Sequence, residues 1–245
     1  VTRLVAAQRS AALGEVARRL AHEIKNPLTP IQLSAERLQM KLADRLAGAD
    51  AEMLARSTQT IITQVQAMKH MVNDFSDYAR MPAPNLAAVD LNALVGEVLG
   101  LYETSRATIE PQLAANLPPV WGDTTQLRQI IHNLLRNAED AQEAADSPYI
   151  SICTRCSENM AEMTVGDRGP GFPAEIIARV FEPYVTTKVR GTGLGLAIVK
   201  KIVDEHHGRV RINNRQPVGA EVSILLPLAS QPAPRRRASH LSSEA

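Results

Sequence analysis

The run His22-Glu23-Ile24-Lys25-Asn26-Pro27-Leu28-Thr29-Pro30 brings a histidine, a carboxylate and an amide close together. An imidazole that is to attack phosphorus must be exposed and neutral at the attacking nitrogen. A neighbouring carboxylate helps by orienting the ring and accepting its proton. On a helix, His22 is two positions from Leu20 and from Ile24, about 200° round from each. It then shares the solvent side with Asn26 and Thr29, four and then three residues further on. Pro27 inside such a helix removes a backbone hydrogen bond and predicts a bend beside the histidine. Taken alone, His22 and Glu23 are as readily a solvated surface pair.

Three later segments carry different chemistry. In His132-Asn133-Leu134-Leu135-Arg136-Asn137, the two asparagines are one helical turn apart on one face. Their amide oxygens suit Mg2+ as hard ligands and leave the ion its waters and phosphates; a plain polar helix face is the other reading. Asp167-Arg168-Gly169-Pro170-Gly171-Phe172 follows a strand. Gly169 and Gly171 allow a flat ligand to approach the backbone, and Asp167 can accept a bond from an exocyclic amine such as adenine's. By itself that pattern is as often a turn as a site. Gly191-Thr192-Gly193-Leu194-Gly195 opens directly into an apolar helix. Backbone amides there form an anion nest, and Lys188 just before them can reach phosphate. The spacing fits neither the dinucleotide fingerprint nor the P-loop.

Composition narrows the partners. The 245 residues are 44% apolar and 22% charged, with a formal net charge of +1. The balance gives no support for binding by neutralising a nucleic-acid backbone, and one Trp with three Phe is poor support for a stacking platform. Cys153 and Cys156 form a CxxC without a second pair, inside an alternating run. They read as ordinary strand thiols in a reducing compartment. No apolar run is long enough to span a bilayer, and no signal-peptide layout is present. This points to a cytoplasmic piece of a longer protein, with no direct membrane contact of its own, whose remainder can carry sensory or membrane-anchoring segments.

These residues need elements to position them. Leu13, Ala17, Leu20, Ile24, Leu28, Ile31, Ala35, Leu38 and Leu42 recur at helical steps, as do Leu54, Ile61, Val65, Met68, Val72, Phe75 and Ala79. Residues 10–79 thus predict two long helices with a turn within 43–50. Such a hairpin has more apolar surface than it can cover, so it is expected to dimerise into a four-helix bundle. A monomeric hairpin packed on the rest of the chain is the alternative. Prolines in residues 81–85 end the second helix. Beyond them, Asp90 and either Asp123 or Thr124 can cap helices. Strands are expected near residues 108–113, 149–154, 162–165, 209–213 and 220–226. Helices are expected at 174–179 and 194–205. Together they make an α/β sandwich. Expected boundaries are a helical domain at 1–80, a linker at 81–89, an α/β domain at 90–228 and a disordered basic tail at 229–245.

Taken in order, these boxes resemble the sensor histidine kinases, especially the nitrogen-regulation type. His22–Pro30 resembles the phosphoacceptor box, Asn133–Asn137 the N box and Asp167–Gly171 the first glycine box. Phe181–Tyr184 resembles the F box and Gly191–Gly195 the second glycine box. The resemblance covers roughly residues 10–228. It implies an all-α dimerisation and phosphotransfer hairpin followed by a Bergerat-type ATP-binding sandwich. His22 would be the phosphoacceptor, Glu23 its acid–base partner, and Asn26 the residue positioning water in a reverse phosphatase reaction. Asn137, assisted by Asn133, would bind Mg2+, and Asp167 the adenine amine. Gly169 and Gly171 would shape the nucleotide floor. Gly191, Gly193, Leu194 and Gly195 would form a small lid over the ATP phosphates, next to Thr187 and Lys188. The implied partners are a second copy and a response regulator, with no nucleic acid. Two alternatives are an ATPase of the same fold and a non-catalytic dimeric signalling module. The former would place a glutamate base where Asn133 stands.

Overall fold

The computed structural model describes residues 2–157, 159–188 and 191–229, with side chains from residue 19 onward except at 70 and 80. The chain forms two compact units. One holds residues up to Pro82 with Pro183–Leu194; the other holds Ala83–Glu182 and the chain from Gly195.

The first unit is a hairpin of α1 (Thr2–Leu42) and α2 (Gly48–Arg80), joined by a short 3-10 turn at Ala43–Arg45. Gly48 starts α2 at φ +60, a conformation that costs glycine nothing. Helix α1 runs on through Pro27 and Pro30. The two prolines do not end the helix.

The seam differs from the expected stripe. Ala21, Leu28 and Ala35, seven apart, are buried, as are Thr58, Ile62, Val65 and Ser76 of α2. Lys69 Nζ donates to Gln32 Oε1 across the pair at 2.8 Å. Leu20, Ile24, Ile31 and Leu38, which were expected in the seam, are instead 46, 41, 46 and 50% exposed. The apolar surface of α1 is wider than one stripe, and a single partner helix covers only part of it. Leu13 and Ala17 lie outside the described side chains.

The second unit is built on a five-stranded sheet with strands β2 (Thr108–Gln112), β4 (Tyr149–Ser157), β5 (Met160–Asp167), β7 (Ala220–Pro227) and β6 (Arg209–Asn214) side by side. β2 and β4 are parallel and the other pairs antiparallel. Three helices supply the apolar layer: α3 (Leu91–Gly100), α4 (Thr124–Asp140) and α6 (Gly195–Glu205). Leu127, Ile130, Ile131 and Leu134 of α4 and Ile198 and Ile202 of α6 are fully buried, as are Ile150, Ile152 and Met163 of the sheet. Period-two alternation places polar groups on the other sheet face, where Arg155 meets Glu162 at 2.6 Å and Thr164 bonds Ser223. Cys153 and Cys156 are free thiols on β4.

Both caps form. Asp90 accepts from Ala93 N, and Asp123 accepts from Thr125 N and Gln126 N. Two details differ from expectation. Ala87–Val89, inside the expected linker, is a strand (β1) paired with Val120–Gly122 (β3). The expected helix at 174–179 is a single turn, α5 (Ala174–Ile177). The expected disordered tail lies outside the described residues, apart from Ala229, whose N–H bonds Pro119 O.

Candidate active site

Asn133 and Asn137 are half-buried on α4, whose first turn is fixed by the Asp123 cap. Gly195, the first residue of α6, faces both. A Cβ on Gly195 would lie 3.5 Å from Asn137 Nδ2, 3.6 Å from Asn137 Oδ1 and 3.7 Å from Asn133 Oδ1. The positive end of an eleven-residue helix is therefore set beside two amide side chains. Such an arrangement can take phosphate oxygens at the helix start and a hard cation at the amide oxygens. The residues present thus fit a Mg2+–phosphate group.

At the end of β5, Asp167 is buried, and its carboxylate is oriented by its own turn. Oδ1 accepts from Gly169 N at 2.8 Å and from Ala220 N at 3.2 Å. Gly169 has no room for a side chain, since a Cβ would lie 2.9 Å from the Ala141 carbonyl. Gly171 sits at φ +77 and is bracketed by Asn214, which exchanges two 2.8 Å bonds with the Phe172 backbone. Gly219, at φ +115, presses on Asp167, and a Cβ there would meet the Asp167 carbonyl at 2.1 Å. Asn214, Gly219 and Ala220 escaped the sequence reading. Their only sequence signal is the Pro217-Val218-Gly219 stretch between the last two expected strands.

In the helical unit His22, Glu23 and Asn26 are all exposed. The expected Glu23–His22 bond is replaced by an ion pair with Arg19, Nε to Oε1 at 2.9 Å. Residues four apart share a helix face, whereas adjacent residues diverge by about 100°.

The loop 183–194 belongs to this unit, not to the one holding Asn133, Asn137, Asp167, Gly169, Gly171 and Gly195. It closes on itself: Tyr184 N donates to Gly193 O, Gly191 N to Lys188 O, and Lys188 N to Thr186 Oγ1. Gly193 adopts φ +66 against the Tyr184 backbone. Leu194 is buried, while Thr187 is exposed and Lys188 half-buried. Thr192 Oγ1 donates to Asp74 Oδ2 at 2.8 Å.

An exposed histidine on a helical hairpin, followed by an α/β sandwich with an amide-lined helix start, is a two-domain kinase architecture. Residues 12–84 match the His Kinase A (phospho-acceptor) domain, and residues 122–230 match the histidine kinase-, DNA gyrase B-, and HSP90-like ATPases. The chain belongs to the sensor histidine kinase family.

Among its relatives is the nitrogen regulation protein NtrY of Azorhizobium caulinodans, 40% identical over 94% of this chain and 30% of that protein. A putative NtrY-like sensor histidine kinase of Rickettsia bellii is 39% identical over 90% of this chain and 36% of its own length. The chain thus spans about a third of the length of the curated relatives it matches. Among solved structures, full-length ShkA in complex with AMPPNP is 28% identical, with a TM-score of 0.64 over 87% of this chain and 46% of ShkA. The histidine kinase ThkA in complex with the response regulator TrrA is 27% identical, with a TM-score of 0.62 over 90% of this chain and 63% of that one. Among the described residues no helix is long and apolar enough to cross a membrane.

Proposed function

We propose that this chain transfers the γ-phosphoryl group of ATP to Nε2 of His22 and then donates it to an aspartate of a response regulator. The observation that carries this reading is the convergence of the α6 start, through Gly195, on Asn137 and Asn133. In this reading Asp167 receives the adenine amine from a floor shaped by Gly169 and Gly171. Gly191, Gly193 and Leu194, with Thr187 and Lys188, form the lid. Asn137 and Asn133 hold Mg2+, which supplies charge neutralisation at the phosphates.

The chain's own part is positioning. Exposed His22 offers its Nε2 lone pair; the N–P bond forms as the bond from phosphorus to the ADP oxygen breaks, and ADP leaves. Glu23 must leave Arg19 to orient the ring and take up its Nδ1 proton, and Asn26, one turn along, orients water on a regulator's phospho-aspartate. The working form is a homodimer, because Leu20, Ile24, Ile31 and Leu38 remain uncovered in one chain. Residues 1–80 are the dimerisation and phosphotransfer domain, and the catalytic domain ends at 228. A regulator docks on the bundle; the ThkA–TrrA complex offers a precedent.

The test is incubation of purified protein with γ-labelled ATP, alongside His22→Gln, followed by addition of candidate receiver domains. Acid-labile label should appear on the wild type alone, while both proteins bind ATP equally, and it should move to one receiver. A non-catalytic signalling module would bind ATP and stay unlabelled, and label retained by His22→Gln would move the acceptor elsewhere.

A further inference from the structure

A cavity of about 370 Å³ opens on the second unit between Tyr149, Asp167, Arg168, Arg215 and the Gln216–Val218 turn. The Arg168 guanidinium lies 4.0 Å over the Tyr149 ring. A stacked guanidinium keeps its in-plane N–H groups directed sideways. Arg215 lies across the sheet because residue 166 is glycine: a Cβ there would be 2.5 Å from Arg215 Nη1. Arg215 is steadied by donating to Ser151 Oγ at 3.2 Å.

Neither arginine forms an ion pair with a carboxylate among the described residues. Glu110 and Glu221 are acids nearby: the Glu110 oxygens are taken up by the Tyr149 hydroxyl and Gln112 Nε2, and Glu221 is the register partner of Gly166, over which Arg215 lies. Asp167 Oδ1, on a residue of the cavity wall, accepts from Gly169 N and Ala220 N. The cavity therefore has two ordered guanidiniums, whose forks match carboxylate and phosphate oxygens. Pro217 and Val218, the latter 56% exposed, give it an apolar rim. Its size suits a small molecule.

We infer that this cavity is a second ligand site, taking a small multivalent oxyanion (a di- or tricarboxylate or a phosphate) on Arg168 and Arg215. Resting on the reading of Asp167 as the adenine acceptor, the site also regulates nucleotide binding. Arg168 sits between Asp167 and Gly169. Arg215 leads through the turn to Gly219 and Ala220, which hold Asp167 from the other side. A ligand bridging the two arginines ties together both donors that orient the Asp167 carboxylate, so nucleotide and anion strengthen each other's binding by the same factor.

The experiment titrates citrate and, separately, inorganic phosphate into the full chain at constant ionic strength, following backbone amide resonances. At least one anion should give saturable shifts centred on residues 149, 168 and 215–219, and the one that does identifies the chemistry. Those shifts should vanish in Arg168→Gln/Arg215→Gln and weaken in Arg215→Gln alone, with the remaining resonances in place to show that the fold persists. AMPPNP should bind several-fold more tightly at saturating anion in the wild type only. Absence of saturable shifts with both anions, or shifts that survive the double substitution, would overturn the site. Saturable shifts with unchanged AMPPNP affinity would overturn the coupling. If AMPPNP does not bind at all, the nucleotide reading fails while the anion titration still decides the site.

Discussion

His206 is buried beside the cap of α4, with both ring nitrogens committed. Nε2 accepts from Asp123 N at 2.9 Å, so the ring hydrogen is on Nδ1 and points to Ile202 O at 2.8 Å. Burial holds its pKa below the usual histidine range, and His207 adds to this, against the opposing pull of the Ile202 carbonyl and the Asp123 carboxylate. The folded ring is harder to protonate than the unfolded one. Its contribution is therefore complete above about pH 6.5 and is lost as pH falls from there through the lowered folded value. Urea unfolding at pH 7.5 and 5.5 should show wild type losing more stability than His206→Gln. At pH 7.5 the substitution itself should cost about 1–3 kcal/mol, as a buried N–H loses its acceptor. Equal losses in the two proteins would sink the assignment. Gly219 invites a second residue-scale test. Gly219→Ala drives a Cβ into the Asp167 carbonyl at a backbone conformation that side chains avoid. Nucleotide affinity should fall at least tenfold by calorimetry. Gly96→Ala, on α3 with nothing within 4 Å of the new methyl, should leave affinity unchanged and stabilise by about 0.5–1 kcal/mol.

At the scale of elements, the bare surface of the hairpin is organised. Leu20, Ile24, Ile31 and Leu38 step by four, seven and seven along α1, and exposed Ile61 and Met68 are seven apart on α2. Heptad spacing on both helices, beside an already filled seam, is what a second hairpin would complete. Ile31→Glu/Leu38→Glu should sediment as a monomer at concentrations where the wild type is a dimer, because each charge would be buried twice at the symmetric interface. Nucleotide binding, proposed for Asn133, Asn137 and Asp167 of the other unit, should persist, and a double variant that still dimerises would remove the four-helix reading. The same stripe shows how far the sequence could be read. Helix periods, both aspartate caps and the exposure of His22 follow from local spacing, which is why they were legible. The assignment of apolar positions to inner or outer seam was not, since Ala21 and Leu20 are neighbours and only packing chooses between them. β1 has three residues, too few for alternation to show, and its partner β3 lies more than thirty residues away. At the candidate site, residue types announced Asn133, Asn137, Asp167 and the glycines. The clamp formed by Asn214, Gly219 and Ala220 depends on contacts across more than forty residues, which no local pattern encodes.

At the scale of the whole molecule, His22 belongs to one compact unit and Asn133, Asn137 and Asp167 to the other, so the proposed reaction depends on the chain that joins them. Residues 81–86 lie outside helix and strand, and Asn85 N is fastened to Asp123 Oδ2 at 2.9 Å. The connection between α2 and that anchor is therefore Met81–Pro84, in which Pro82 and Pro84 restrict the backbone. A short connection keeps the local concentration of one unit near the other high, and this falls roughly as the −3/2 power of linker length. Tripling the connection with Gly-Ser residues inserted after Pro82 should slow single-turnover autophosphorylation of His22 about fivefold. Affinity for AMPPNP should not change, because no group placed in the nucleotide site is altered. The two readouts separate the possibilities: a slower rate with unchanged affinity locates the effect in the encounter of the units. An unchanged rate would mean that contacts other than the connection bring His22 to the nucleotide, and a lost affinity would mean that the segment supports the nucleotide site itself.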